Sequence, residues 1–257
     1  MKNTSYQLVT GIIPARFAST RFPGKPLALI GGKTMIERVY VQALKSLESV
    51  FVATDDERIY NAVLNFGGSA VMTSDKHQSG TDRCAEAAEI IEKLTGRKTD
   101  IVINIQGDEP FIKPEQISQI ASCFSDRSVE IATLVKKIEP GENLSNPNHV
   151  KVVVDLKGNA LYFSRSAIPY IRDAVENEWL SKHVFLRHIG LYAYKTDILK
   201  KITQLPRSPL ETAESLEQNR WLENGLKIRT TVTEFDTFSI DTPGDLQKAE
   251  ELFVKFS

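Results

Sequence analysis

The sequence holds two cysteines, Cys84 and Cys123, far apart and with no Cys-x-x-Cys pair. That excludes a disulfide framework or a cysteine-based zinc site and fits a reducing compartment. Histidine is scarce as well. His77, His149, His183 and His188 form no His-Glu-x-x-His or similar metal spacing, and their plain reading is surface or satisfied core. Charge of one sign is not in excess: 32 Lys and Arg face 33 Asp and Glu, for a net charge of −1. The basic surplus of a non-specific nucleic-acid binder is therefore missing. No apolar run approaches the ~20 residues that span a bilayer. The N-terminal "MKNTSYQLVTG" has no apolar core followed by a small-residue cleavage site, so no signal peptide is expected. No repeat or low-complexity segment occurs.

What is present is an alternation of strand and helix patterns. The 257 residues suit one large α/β domain, and the apolar content of 41% is ordinary for a globular chain. "LVTGIIP", "SVFVAT", "SAVMT" and "DIVINIQ" read as buried parallel strands. Between them lie helical patterns. "TMIERVYVQALKSL" places Ile36, Val39, Tyr40, Ala43, Leu44 and Leu47 on one face; "DERIYNAVLNFGG" is closed by Gly67; "TDRCAEAAEIIEKL" takes Thr81 as N-cap. Short-spaced alternation of this kind implies right-handed crossovers and a doubly wound, mostly parallel sheet. Beyond Pro114 the pattern loosens. "VEIATLVKKI", "KVVVDLKGNALYFSR" and "RHIGLYAYK" read as strands, the second as a hairpin turning at Lys157-Gly158-Asn159. Helices are expected at Thr196–Thr203 and, as one piece, at Pro209–Glu223, followed by the strand "KIRTTVT" and a closing helix "TPGDLQKAEELFVKF" with Leu246, Ala249, Leu252 and Phe253 on one face. The expected organisation is a single domain over 1–257, in which about 129–194 form an antiparallel sub-domain.

Ligands of open parallel sheets bind outside the carboxyl ends of the strands. The segments that follow the four strands are "PARFASTRFPGK", "TDDE", "TSDKHQSGTDR" and "QGDEP". That rim carries Arg16, Arg21, Lys25 and Arg83, together with Asp55, Asp108 and Glu109. Guanidinium forks match phosphate oxygens, lysine supplies a point charge, and isolated carboxylates suit Mg²⁺ bridging phosphates. The first loop lacks both GxxxxGK[ST] and GxGxxG, which argues against a P-loop enzyme or a dinucleotide dehydrogenase. Its three cations have no acidic neighbour in sequence, as if the loop wraps a triphosphate.

The stretches "IIPARFASTRFPGKPL", "VATDDERI", "SGTDR", "NIQGDEP", "ALYFSRSAIP", "RHIGLYAY", "TAESLEQNRWLENG" and "SIDTPGDL" run nearly end to end and in order. Together they resemble the 3-deoxy-manno-octulosonate cytidylyltransferase family, also called CMP-Kdo synthetases. The resemblance implies that CTP and the eight-carbon acidic sugar Kdo yield CMP-Kdo and pyrophosphate with Mg²⁺, for lipopolysaccharide synthesis. It implies a homodimer built by the middle antiparallel segment, with "RSAIPYI" near the interface; a cytoplasmic location is expected from the two unpaired thiols and the missing signal pattern. Membrane and nucleic acid are not expected partners. Phe17 stands where the family often has another aromatic, and "SGTDR" is a conservative form of its "SGTER".

Carried over by motif, Arg16 and Lys25 neutralise the triphosphate with Arg21 close by, and Asp108 and Asp241 hold the metal. Pro14, Ala15, Ser79, Gly80, Arg83 and Gln106 complete the CTP side, with the cytosine over the first loop and read partly by backbone groups. His188, Tyr192, Glu217 and Gln218 correspond to the family's sugar-contacting positions, and Arg165 reaches the phosphates or the sugar carboxylate. Plainer readings stand beside these: core packing for His188 and Tyr192, a surface charge for Glu217, an N-cap with Thr242 for Asp241. Asp55 and Asp56 are expected to cap the second helix, and Glu109 is left out of the metal site. A cytidylyltransferase for 8-amino-Kdo or a sialic acid, or a non-catalytic nucleotide-binding module, are the alternatives.

Overall fold

A computed structural model of the chain describes residues 7–18 and 21–256, with side chains through Phe253. Met1–Tyr6, where most of the leader reading falls, and Ser19 and Thr20 of the cation loop lie outside the described residues.

The chain runs β1 (Val9–Ala15), a 3₁₀ turn at Lys25–Leu27, the short hairpin β2 (Leu29–Ile30) and β3 (Lys33–Thr34), α1 (Met35–Leu44), β4 (Ser49–Thr54), α2 (Glu57–Asn65), β5 (Ala70–Met72), α3 (Gly80–Thr95) and β6 (Ile101–Asn104). It continues with α4 (Pro114–Ser122), β7 (Ile131–Lys137), β8 (Lys151–Val154), β9 (Ala160–Ser164), α5 (Trp179–Lys182), β10 (Leu186–Lys195), α6 (Thr196–Ile202), α7 (Pro209–Glu214), α8 (Glu217–Glu223), β11 (Ile228–Val232) and α9 (Pro243–Phe256).

The main path of the sheet has the order β11-β7-β10-β6-β1-β4-β5. β6, β1, β4 and β5 are parallel neighbours, as their uninterrupted apolar sequences require. β10 lies antiparallel between β6 and β7, β11 runs parallel to β7 at the edge, and the β8–β9 hairpin joins at the start of β10. The hairpin turns through Gly158 at φ 77°, a conformation that favours glycine. One face of the sheet packs against α1, α2 and α4 through Ile36, Ile59 and Ile117; the other packs against α3, α6 and α8 through Ala87, Leu199 and Trp221. The doubly wound α/β architecture is thus the observed one.

Several local expectations change. α3 is capped by Ser79 rather than Thr81: the Ser79 hydroxyl accepts from Asp82 N at 3.1 Å while the Asp82 carboxylate accepts from Ser79 N at 3.2 Å. α1 ends at Leu44, whose side chain is 45% exposed rather than in the core. The single helix expected over Pro209–Glu223 is broken at Ser215, which adopts φ 53°, so α7 and α8 are separate helices. Of the two aspartates expected as caps of α2, only Asp56 is one, accepting from Arg58 N. Asp55 instead pairs with Arg83. The helix α4, begun by Pro114, had no counterpart in the sequence reading.

Candidate active site

From β1 the chain proceeds outward to β4 and β5, then returns across the sheet to β6 on the other flank. The crevice between the carboxyl ends of β1 and β6 is therefore the switch point at which doubly wound sheets bind ligands. A cavity of about 270 Å³ opens there. Pro14, Ala15, Arg16, Arg21, Lys25, Ser79, Gly80, Arg83, Gln106, Asp108 and Asp241, all expected on the nucleotide and metal side, line it together. Pro26, His77, Gln78 and Gly107 line it as well.

Each side chain is placed by local chemistry. Gly24, at φ 72°, donates its N–H to Phe17 O at 3.0 Å and starts the turn that presents Lys25. The Phe17 ring lies under the Arg58 guanidinium at 3.3 Å, so the aromatic of the cation loop is its internal packing point. Gly107 allows a close approach of two backbones: a Cβ there would stand 3.0 Å from Pro14 O, which would have to give way. Gly80 brings the start of α3 against Pro14 in the same way, with 3.2 Å between a hypothetical Cβ and Pro14 Cγ. Asp241 arrives from the far end of the chain because Ile240 N donates to Asp108 O at 3.0 Å and Ile240 is buried beside Ile30 and Met35. Asp241 is not the N-cap of α9 by hydrogen bonding; the Thr242 hydroxyl accepts from Asp245 N.

The cations that have no acidic neighbour in sequence find them in space. Lys25 Nζ donates to Asp108 Oδ2 at 2.7 Å and to Asp241 Oδ1 at 3.4 Å, and Arg21 reaches Asp241 Oδ1 at 3.3 Å. One ammonium thus sits between the two carboxylates. Arg16 lines the cavity, exposed, with no ion pair among the described residues. Arg83 is buried, its guanidinium held by Thr73 Oγ1 at 2.6 Å and Asp55 Oδ2 at 2.7 Å, so it forms part of the wall. Glu109 is buried next to Asp108; burial, then the neighbouring charge, raises its carboxyl to about 8. His77 is fixed by Glu86, whose Oε2 lies 2.5 Å from Nε2 and also accepts from Ser74 N at 2.8 Å. Sequence reasoning passed over His77 and Gln78, although the quoted loop "TSDKHQSGTDR" contains both.

The residues expected on the acceptor side form a second group beside the cavity. In a regular strand four residues cover ~13 Å, yet the rings of His188 and Tyr192 lie 5.1 Å apart. A bulge between Ile189 and Tyr192 makes the difference, and Thr133 Oγ1 pins it by donating to Leu191 O at 2.8 Å. Thr133 Oγ1 also lies 3.0 Å from His188 Nε2; burial lowers that imidazole to about 3, so it is neutral. Tyr192 meets Trp221 edge-on at 5.2 Å, and Gln218 is buried next to Glu217. Glu217 accepts from Thr81 Oγ1 at 2.8 Å and from Arg220 at 2.7 Å; burial raises its carboxyl, against those two bonds. Arg165 stands apart from the cavity. Its Nε donates to Glu214 O at 2.8 Å and its Nη1 to Pro147 O at 3.0 Å, which clamps the break between α7 and α8. Two buried polar groups here were not anticipated: Asn104, at the end of β6, and Tyr194.

A doubly wound sheet with a cationic loop facing two carboxylates at its switch point defines a nucleotidyltransferase. The cytidylyltransferase family profile matches residues 10–228. The chain is 60% identical to the 3-deoxy-manno-octulosonate cytidylyltransferase of Parabacteroides distasonis, over 93% of this chain and 95% of the relative. It is 57% identical to the protein of that name from Bacteroides thetaiotaomicron, over 95% and 97%. A solved CMP:2-keto-3-deoxy-manno-octonic acid synthetase complexed with CTP superposes with a TM-score of 0.88 at 43% identity, over 98% of this chain and 100% of the other. The chain belongs to the 3-deoxy-manno-octulosonate cytidylyltransferase family.

Proposed function

We propose that this enzyme transfers the cytidylyl group of CTP to the anomeric hydroxyl of Kdo, releasing pyrophosphate, in the cytoplasm and as a step toward lipopolysaccharide. The observation that carries this reading is the convergence of Lys25, Asp108 and Asp241 in the switch-point cavity. Transfer at phosphorus needs alignment and charge neutralisation more than a covalent intermediate. Arg16, Arg21 and Lys25 are placed to take the triphosphate charge and to stabilise the departing pyrophosphate. Pro14, Ala15, Ser79 and Gly80 offer backbone groups to the base, and the N-terminus of α3 opens into the same cavity. His188, Tyr192, Glu217 and Gln218 orient the acid. Arg165 reaches the sugar carboxylate only by exchanging its bonds to Glu214 and Pro147.

The donor set fits Mg²⁺. Two carboxylates already share one cation, and among the described residues no cluster of three or more His, Cys, Asp or Glu surrounds them. Such a site leaves coordination positions for phosphate oxygens and water, as Mg²⁺ prefers. When bound, the metal would neutralise the phosphate oxygens and lower the pKa of a hydroxyl it touches. Lys25, released from the carboxylates, then serves the phosphates.

The test supplies CTP and Mg²⁺ with Kdo, 8-amino-Kdo or a sialic acid and measures pyrophosphate. Kdo is expected to give the fastest release; faster release with a sialic acid overturns the acceptor assignment. Asp108→Ala is expected to lose at least about a hundredfold in turnover, and undiminished turnover overturns the metal assignment.

A further inference from the structure

Asn104 ends β6 at the switch point and is 3% exposed, yet its side-chain amide makes no hydrogen bond among the described residues, and Oδ1 is fully enclosed. Buried amides are normally satisfied, so an unsatisfied one calls for a physical reason. Its position supplies one. In the antiparallel pairing of β6 with β10, Asn104 lies directly opposite Tyr192, and side chains so paired stand on one face with Cβ atoms ~5 Å apart. On its other side, Nδ2 is 3.9 Å from where a Cβ on Gly80 would stand, and Gly80 is wall of the nucleotide cavity. The amide therefore stands at the boundary between the two groups of site residues.

It is not alone. Tyr192 Oη, Tyr194 Oη and Trp221 Nε1 are enclosed as well: Trp221 Nε1 has no hydrogen-bond partner among the described residues, and the two phenol oxygens have only the Thr133 and Thr81 hydroxyls beside them, neither in full hydrogen-bond geometry. The three rings form one cluster, with Tyr192 and Tyr194 stacked at 6.0 Å and Trp221 edge-on to both, at 5.2 and 5.6 Å. Asn104 and the two tyrosines lie on the β6–β10 pair and Trp221 on α8 against it, and an apolar core would not concentrate under-satisfied polar atoms in one place in this way. A ligand rich in hydroxyls would suit them, and none of the four residues lines the cavity that holds the cation loop.

We propose that Asn104 is an acceptor-binding residue, its amide kept unpaired in the free enzyme to bond a hydroxyl of the polyhydroxy acid beside Tyr192. This rests on the acceptor reading above. A residue of this kind trades stability for recognition, which separates it from a merely structural asparagine.

The experiment compares wild type with Asn104→Leu, which keeps the volume and removes the amide. Three quantities are measured: the melting temperature without ligand, the CTP dissociation constant by calorimetry, and steady-state pyrophosphate release against Kdo concentration. The leucine variant is expected to melt at or above the wild-type temperature, to bind CTP within about twofold, and to lose about tenfold or more in kcat/KM for Kdo, because a site group left unpaired discriminates at this level. Unchanged kcat/KM for Kdo overturns the proposal. So does CTP affinity that falls in step with it, or a lowered melting temperature that parallels the activity loss. If the leucine variant does not fold, Asn104→Ser is read by the same comparison of Kdo against CTP. Failure of wild type itself to use Kdo refutes the acceptor reading rather than the role of Asn104.

Discussion

Lys25 binds two carboxylates at once, at 2.7 and 3.4 Å, and so holds the walls of the crevice together electrostatically. Lys25→Met removes that cation from both aspartates and from the triphosphate. It should lower kcat/KM for CTP by about a hundredfold, measured as initial pyrophosphate release. The cations at this site were legible because guanidinium and ammonium groups are what phosphate oxygens demand. Their pairing was not: Lys25 and Asp241 are 216 positions apart, and no local pattern records that distance. His188 carries a second prediction. Its imidazole sits at about 3 in the fold against an ordinary 6.5, so the unfolded chain takes up a proton in that interval and the folded chain does not. Stability is present above pH 6.5 and is lost as pH falls toward 3. Denaturant titrations at pH 7 and pH 5 should show a smaller loss for His188→Gln than for wild type.

Among the elements, two short features aim the chemistry. Ser79 caps α3 and lines the cavity, so Ser79→Ala should cost about 1 kcal/mol in denaturant unfolding and weaken CTP binding in calorimetry. Thr133 pins the β10 bulge. Thr133→Val keeps the shape but removes the hydroxyl that meets Leu191 O and His188, and should raise KM for Kdo more than KM for CTP in the same assay. The strands and long helices of the first half were readable because buried β-branched runs and 3.6-residue periodicity fix them. The capping of α3 was misplaced by two residues because Ser79 and Thr81 are both good caps, and only the Asp82 carboxylate, which returns to Ser79 N, decides between them. The break at Ser215 was invisible since a serine at positive φ leaves no mark in composition; Arg165 holds it from outside the segment through its bonds to Glu214.

For the molecule as a whole, the middle segment leaves Tyr170 at 72%, Val175 at 62% and Val184 at 60% exposure around the Trp179 and Phe185 cluster. Apolar surface of this extent suits a partner, and we propose the second copy that the family resemblance implies. Analytical ultracentrifugation should find a dimer for wild type and a monomer for Tyr170→Glu. The described residues contain no helix long and apolar enough to cross a membrane.

The bond from Ile240 N to the Asp108 carbonyl closes the site with a stretch of chain far downstream of the β1–β6 wall. Domains fold from the N-terminus as the ribosome delivers them, so the β1–β6 wall and its cations can assemble while Asp241 does not yet exist. Until that aspartate arrives, a growing polypeptide carries half a crevice, in which Lys25 has one of its two carboxylates and Arg21 lacks its own.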